Sequence, residues 1–236
     1  MWDKPQQLQL ISNTLFGISF VLLLYGALHY TIHLPVFALR AVQLSVAPQQ
    51  VDVAQIEAVV RHELRGNFFT VDLQDTQRAF EKLPWVRKAV VQRQFPWQLE
   101  VSLEEQVALA HWNNTGLVNT FGEVFQGESK QVLPDFIGQA DSAAEVAQMY
   151  VVFTGQLAPI RQQISQVSLS PRRAWQLRLN NGMLLKLGSA QAQQRLSRFV
   201  AVYSYSLGSM DQIASYVDLR YRDGFAVYMP GQYSKI

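Results

Sequence analysis

The chain has 236 residues, with 20 Lys and Arg against 18 Asp and Glu, and it contains no cysteine. A net charge of +2 supplies no global field for nucleic acid, and the missing thiols exclude disulfides, thiolate metal sites and Cys nucleophiles together. Mixed charge with abundant Val, Leu and aromatic residues excludes a disordered chain and leaves enough residues for two modest cores.

From Pro5 to Leu39 no Asp, Glu, Lys or Arg occurs. Its core, Ile11 to Ile32, supplies the roughly 20 apolar residues a helix needs to cross a bilayer. Tyr25 and Tyr30 stand toward one end and Trp2 toward the other, where amphipathic rings suit the interface. The expected division is a short tail over 1–10 and a spanning helix over 11–34. A cleaved signal peptide is the alternative, with Val36-Phe37-Ala38 as its small-x-small site, but the apolar run is long and the basic start thin. A buried core helix would need a larger domain around it. Lys4 offset by Asp3 on one side, against His29, His33 and Arg40 on the other, leaves orientation undecided by charge.

Beyond the anchor, Phe37 to Val46 alternates as a strand closed by Pro48. Asp52 with Gln55 forms a capping box for a helix whose stripe is Val53, Ile56, Val59, Val60 and Leu64, ending at Gly66. A second helix starts near Asp72, turns Leu73, Thr76, Phe80 and Leu83 inward and stops at Pro84. Trp85 to Arg93 and Gln98 to Glu104 read as paired strands around Gln94-Phe95-Pro96. The order is strand, helix, helix, strand, strand. With Asn67-Phe68-Phe69-Thr70-Val71-Asp72 and Leu83-Pro84-Trp85-Val86, the segment 36–105 resembles a POTRA (polypeptide-transport-associated) domain.

The remainder, 106–236, reads as α+β with antiparallel strands and helices on one face. Strands are expected over Val107–Trp112, Leu117–Asn119 and Val124–Phe125, with Gly122 at a turn and 133–138 irregular. Ser142 caps a helix running to about Leu157, ahead of Pro159. Ile164–Leu169 is a strand, and Asn181-Gly182 joins Trp175–Leu179 to Met183–Leu187. Ser189 opens a helix carrying Leu196, Phe199, Val200, Tyr203 and Leu207. Ser215–Tyr221 and Phe225–Tyr228 form a final hairpin about Arg222-Asp223-Gly224.

A terminal hairpin at a sheet edge offers unpaired backbone groups to an extended partner, and Tyr and Arg are enriched among interface hot spots. Alternation turns half of Tyr216, Leu219, Tyr221 and Val227 inward, so the residues alone leave packing and docking equally open. No acid lies between Glu145 and Asp211, while Arg161, Arg172, Arg173, Arg178, Lys186, Arg195 and Arg198 do. Most of these are expected as a solvated basic face, Arg172-Arg173 at a turn being the exception. The pair Arg87 and Lys88 beside Trp85 reads as strand packing rather than a partner patch.

Catalysis is not expected. The sequence has no Gly-x-Ser-x-Gly elbow, Gly-rich phosphate loop or His-Glu-x-x-His pattern. Adjacent Glu104 and Glu105 on a strand point to opposite faces. His29 and His33 have metal-compatible spacing without a third ligand, so neither metal nor cofactor is expected.

Ala110-His111-Trp112, Leu117-Val118-Asn119, Gly122-Glu123-Val124-Phe125, Val132-Leu133-Pro134, Trp175-Gln176-Leu177, Leu187-Gly188, Arg195–Phe199 and Tyr216-Val217-Asp218-Leu219-Arg220-Tyr221 resemble, in order and spacing, the FtsQ family of bacterial cell-division proteins. Ala108, Asp223 and Phe225 depart from residues common in that family at the interdomain joint and the last turn. The resemblance implies a non-catalytic scaffold of the divisome, single-pass in the inner membrane, cytoplasmic at its N-terminus and concentrated at the septum. It implies FtsB and FtsL as partners, and further division components for the POTRA domain. The implied docking residues are Arg172, Tyr216, Val217, Asp218, Leu219, Arg220, Tyr221, Gly224, Phe225, Val227 and Tyr228, to which the reading of the turn adds Arg173. The alternative is a POTRA-type transport or chaperone module serving an outer-membrane barrel.

Overall fold

In the computed structural model, residues 5–205, 214–222 and 224–229 are described. The readings that fell on Trp2, Asp3, Lys4, Leu207 and Asp223 lie outside them. The chain divides into two compact units, Met1–Glu105 and Gln106–Ile236.

The first unit opens with α1 (Pro5–Ile32), whose Gln9–Ile32 stretch is long and apolar enough to cross a membrane and buries none of its surface in the protein. At 1.5 Å per residue those 24 residues span about 36 Å, enough for a hydrocarbon core of about 30 Å. Pro35–Phe37 is a 3₁₀ turn, so the strand expected from Phe37 is only β1 (Ala41–Leu44). The reason is local. Phe37 packs its ring 5.1 Å from Trp97 and 5.2 Å from Phe69, and its carbonyl accepts the Phe68 N–H at 2.9 Å.

Helix α2 (Val53–Glu63) is capped by Asp52, whose carboxylate accepts the Ala54 N–H at 2.9 Å. Ile56 is its buried residue, whereas Val53 is 55% exposed and so lies off the stripe expected for it. Helix α3 (Leu73–Glu81) is capped twice by Asp72, through the N–H groups of Gln74 and Asp75, and buries Thr76, Ala79 and Phe80. Strand β2 (Val86–Gln94) pairs antiparallel with β3 (Gln98–Glu105), and β1 pairs parallel with β3, giving the order β1-β3-β2. Phe80, Ala89, Leu99 and Val101, all fully buried, form the centre of this core.

Two neighbouring carboxylates at the end of β3 do different work, as strand geometry requires. Glu104 pairs with Arg87 at 2.8 Å. Glu105 instead accepts the successive N–H groups of Gln49, Gln50 and Val51 at 2.9–3.0 Å. Burial pushes the Glu105 carboxyl up, but those amides together hold it below its usual range.

Among the described residues, the second unit is built on a nine-stranded sheet in the order β12-β11-β10-β9-β8-β7-β4-β5-β6. Its strands are β4 (Ala108–Trp112), β5 (Gly116–Asn119), β6 (Val124–Phe125), β7 (Asp135–Ile137), β8 (Ile164–Leu169), β9 (Trp175–Leu179), β10 (Leu184–Gly188), β11 (Tyr216–Asp218) and β12 (Ala226–Tyr228). It is mixed rather than wholly antiparallel, because β7 runs parallel to both β4 and β8, and β10 runs parallel to β11. The stretch expected to be irregular therefore contains a central strand, with Phe136 fully buried. Helices α4 (Ala143–Leu157) and α5 (Ala192–Tyr203) supply Val146, Phe153, Leu196 and Phe199 to the core. Ser142 occupies the N-cap position of α4 without a side-chain capping bond. α5 starts three residues later than Ser189, after Gln191 in the left-handed conformation at φ 55°. Gly182 at φ 88° serves the Asn181-Gly182 turn, where the Leu179 N–H donates to the Met183 carbonyl at 2.9 Å.

Candidate functional site

Strand β12 ends the sheet, paired on one side only, with register Tyr216↔Tyr228, Val217↔Val227 and Asp218↔Ala226. Among the described residues its outer backbone groups meet no further strand, which is the geometry that accepts an added one. Tyr216 and Tyr228 stack across the pair at 5.3 Å, and Lys186 Nζ stands 4.3 Å above the Tyr216 ring.

Alternation divides the expected docking residues. Val217 and Leu219 are buried, and Val217 is already paired with Leu185 on one side and Val227 on the other, so neither presents a side chain to a partner. Tyr221 is 58% exposed, Gly224, Val227 and Tyr228 are exposed, and Phe225 is half-buried with its ring 6.1 Å from Phe199. Asp218 is buried and forks onto Arg220: Oδ2 accepts from Nη2 at 2.6 Å, and Oδ1 accepts from Nε at 2.8 Å and from the Arg220 N–H at 3.1 Å. The side-chain hydrogen bonds from Arg220 are the main reason the Asp218 carboxyl titrates below its ordinary value. This fork turns the chain out of β11 immediately after Leu219.

Arg172 and Arg173 lie at the β8–β9 turn, apart from the hairpin. Register nevertheless places that turn at the same end of the sheet as Gly188, Arg220 and Tyr221, because Trp175 opposes Gly188 and Lys186 opposes Asp218. Arg173 is already paired with Glu145 of α4, and Arg172 is exposed.

The inventory of docking residues lacked the helix that completes the site. Phe199 and Val202 of α5, with Leu219 and Phe225, wall an apolar groove of about 370 Å³. Beside it Arg195, Arg198, Arg220 and Arg222 line a polar cleft of about 540 Å³ with no acid in its lining among the described residues. Arg195 and Arg198 were expected as solvated charges. Instead Arg195 donates to the Leu187 carbonyl at 2.5 Å and Arg198 donates to that of Arg222, tying α5 to the last strands. Their i, i+4 spacing with Phe199 and Val202 was the available signal. Gly188, at φ 76°, makes the crossing possible, since a Cβ there would stand 2.7 Å from Arg195 Nη1 and 3.1 Å from Arg220 Cγ.

The Asp218–Arg220 fork carries a pH signature. Because the folded carboxyl titrates low, its contribution is fully present above the ordinary Asp value of about 3.9 and is lost as pH falls through the folded value. Asp218→Asn should therefore lower stability by about 1–3 kcal/mol at pH 7. In urea unfolding, its deficit against the parent should vanish at the acid end of the profile.

Comparison with known proteins matches both units. The model for the C-terminal region of cell division protein FtsQ/DivIB covers residues 110–220, and the FtsQ-type POTRA domain model covers 37–106. The chain is similar to the cell division protein FtsQ of Nitrosospira multiformis, 42% identical over 231 residues, 96% of this chain and 98% of that one. It is similar to FtsQ of Burkholderia pseudomallei, 38% identical over 238 residues, 98% and 95% of the two chains. FtsQ of Bordetella pertussis is 33% identical over 252 residues, 96% and 92%.

Proposed function

The chain belongs to the FtsQ/DivIB family of cell-division proteins, and on that footing we propose that it is a non-catalytic scaffold of the divisome whose last strand recruits FtsB and FtsL. α1 crosses the inner membrane once, the N-terminus is cytoplasmic, and residues 36–236 stand in the periplasm at the septum. Membership in this family is the reason to prefer that role over a transport module serving an outer-membrane barrel.

The observation that carries the reading is the open edge of β12 beside an apolar groove with a basic rim. An extended segment of FtsB adds to β12 through its backbone and presses an apolar side chain toward Phe225 and Val202. Among the described residues, four arginines against the one Asp218 leave three net positive charges at the rim, which favours an acidic residue in the partner. Arg172 extends that positive end of the sheet.

A photo-crosslinking amino acid placed singly from Ser215 to Tyr228 in living cells tests this. Adducts with FtsB should be strong at Tyr221 and Phe225, alternate along 226–228, and be weak at the buried Val217 and Leu219. A flat profile, or a maximum at the buried pair, would refute strand addition.

A further inference from the structure

At the end of the first unit nearest α1, five aromatic rings gather. Phe37 lies 5.1 Å from Trp97 and 5.2 Å from Phe69, Phe68 lies 5.2 Å from Phe69, and Phe95 lies 6.0 Å from Trp97. Phe68 is buried and closes the cluster from behind. Phe69 is 48% exposed and Phe95 79%. Exposed rings grouped in this way mark an interaction site rather than ordinary surface.

The tip is built rigidly and close to the end of the helix. Asn67 Nδ2 donates to the Ile32 carbonyl at 2.6 Å, its Oδ1 accepts the N–H groups of Phe69 and Thr70, and the Arg40 N–H donates to the Trp97 carbonyl at 3.0 Å. Arg93 donates to three carbonyls of the aromatic loop, those of Phe68 at 2.7 Å, Val71 at 2.8 Å and Phe69 at 3.3 Å. The loop is thus held in place from both sides, and ordering it on contact costs little further entropy.

We propose that this aromatic tip seats in the interfacial region of the same bilayer that α1 crosses. The inference rests on the reading of α1 as a membrane span. Phe37 follows the last helical residue, Ile32, by only five positions, so the cluster stands at headgroup depth once α1 is inserted. Trp and Tyr rings favour that zone, and burying exposed Phe side chains there removes apolar surface from water. Charge agrees: the three segments that form the tip, 33–40, 65–71 and 93–98, carry Arg40, Arg65 and Arg93 and no acid, which suits anionic phospholipid headgroups. The contact would fix the tilt of the POTRA unit on its anchor.

The absence of cysteine makes a clean test possible. The full chain is reconstituted at one copy per nanodisc of phosphatidylcholine and phosphatidylglycerol, with a nitroxide at Gln94→Cys, an exposed position that leaves every ring in place. Leu22→Cys reports the span. Lys82→Cys reports the opposite end of the unit, about 25 Å away along the eight residues of β3. Collisions with an aqueous nickel chelate should be several-fold rarer at position 94 than at position 82, and adding Phe95→Asp should restore them. Equal nickel access at 94 and 82 with position 22 still in lipid would overturn the docked tip and leave the anchor standing. Nickel access at position 22 would overturn both. Suppression at 94 that Phe95→Asp leaves unchanged would also overturn it.

Discussion

With FtsB docked on the last strand as proposed, Tyr221→Glu should abolish its recruitment while leaving thermal unfolding where it was. The side chain is 58% exposed and rises from the rim between Arg220 and Arg222, so its loss opens no cavity. Exposed substitutions of this kind stay within about 0.5 kcal/mol in stability. The introduced carboxylate can sit against either arginine inside its own protein, yet it takes from the partner a hot-spot ring and sets a like charge against an acidic segment. A cost of about 2 kcal/mol or more corresponds to at least about 30-fold in affinity. Titration calorimetry with the periplasmic part of FtsB reads the first number, and scanning calorimetry of the variant reads the second. A collapsed melting temperature would mean that Tyr221 is core.

Phe199→Ala should do the opposite, costing stability first and binding as a consequence. Phe199 is fully buried, with Tyr203 at 5.4 Å and Phe225 at 6.1 Å. Truncating a buried Phe costs about 3–5 kcal/mol, a large share of the 5–15 kcal/mol that typically holds a domain together. Because the residue belongs to the second unit alone, the transition of the first should not move. Phe199→Leu, nearer in volume, should recover much of the loss. Urea unfolding followed separately by probes in the two units distinguishes this from a general destabilisation.

These two positions also mark what the sequence could disclose. Local chemistry was legible: Asp52 and Asp72 cap their helices as carboxylates at an N-cap must, Asn181-Gly182 turns a hairpin, and Trp175–Leu179 alternates inward and outward. Non-local pairing was not. β7 has three residues next to Pro134, too few to show a period, and it exists because β4 and β8 hold it in parallel from both sides. Likewise Phe37 leaves the strand that alternation suggested, because ring packing against Trp97 and Phe69 outweighs a few residues of pattern. At the docking edge, periodicity could not choose between Leu219 and Tyr221. The choice is made by the Asp218–Arg220 fork, which ends β11 and sends Tyr221 outward. The α5 wall of the groove was hidden for the same reason, since helical spacing names a face without naming what it faces.

The parallel pairing of β10 with β11 has a consequence for biosynthesis. A parallel neighbour cannot be reached by a tight turn, so the chain must first travel back along α5 before the outer pair can form. Every other strand of the sheet has left the ribosome by then. A translation product halted near residue 215 could complete β4 to β10, yet its outermost strand would be Leu184–Gly188, with the backbone edge that β11 pairs left open. Such a fragment would be a substrate for proteolysis.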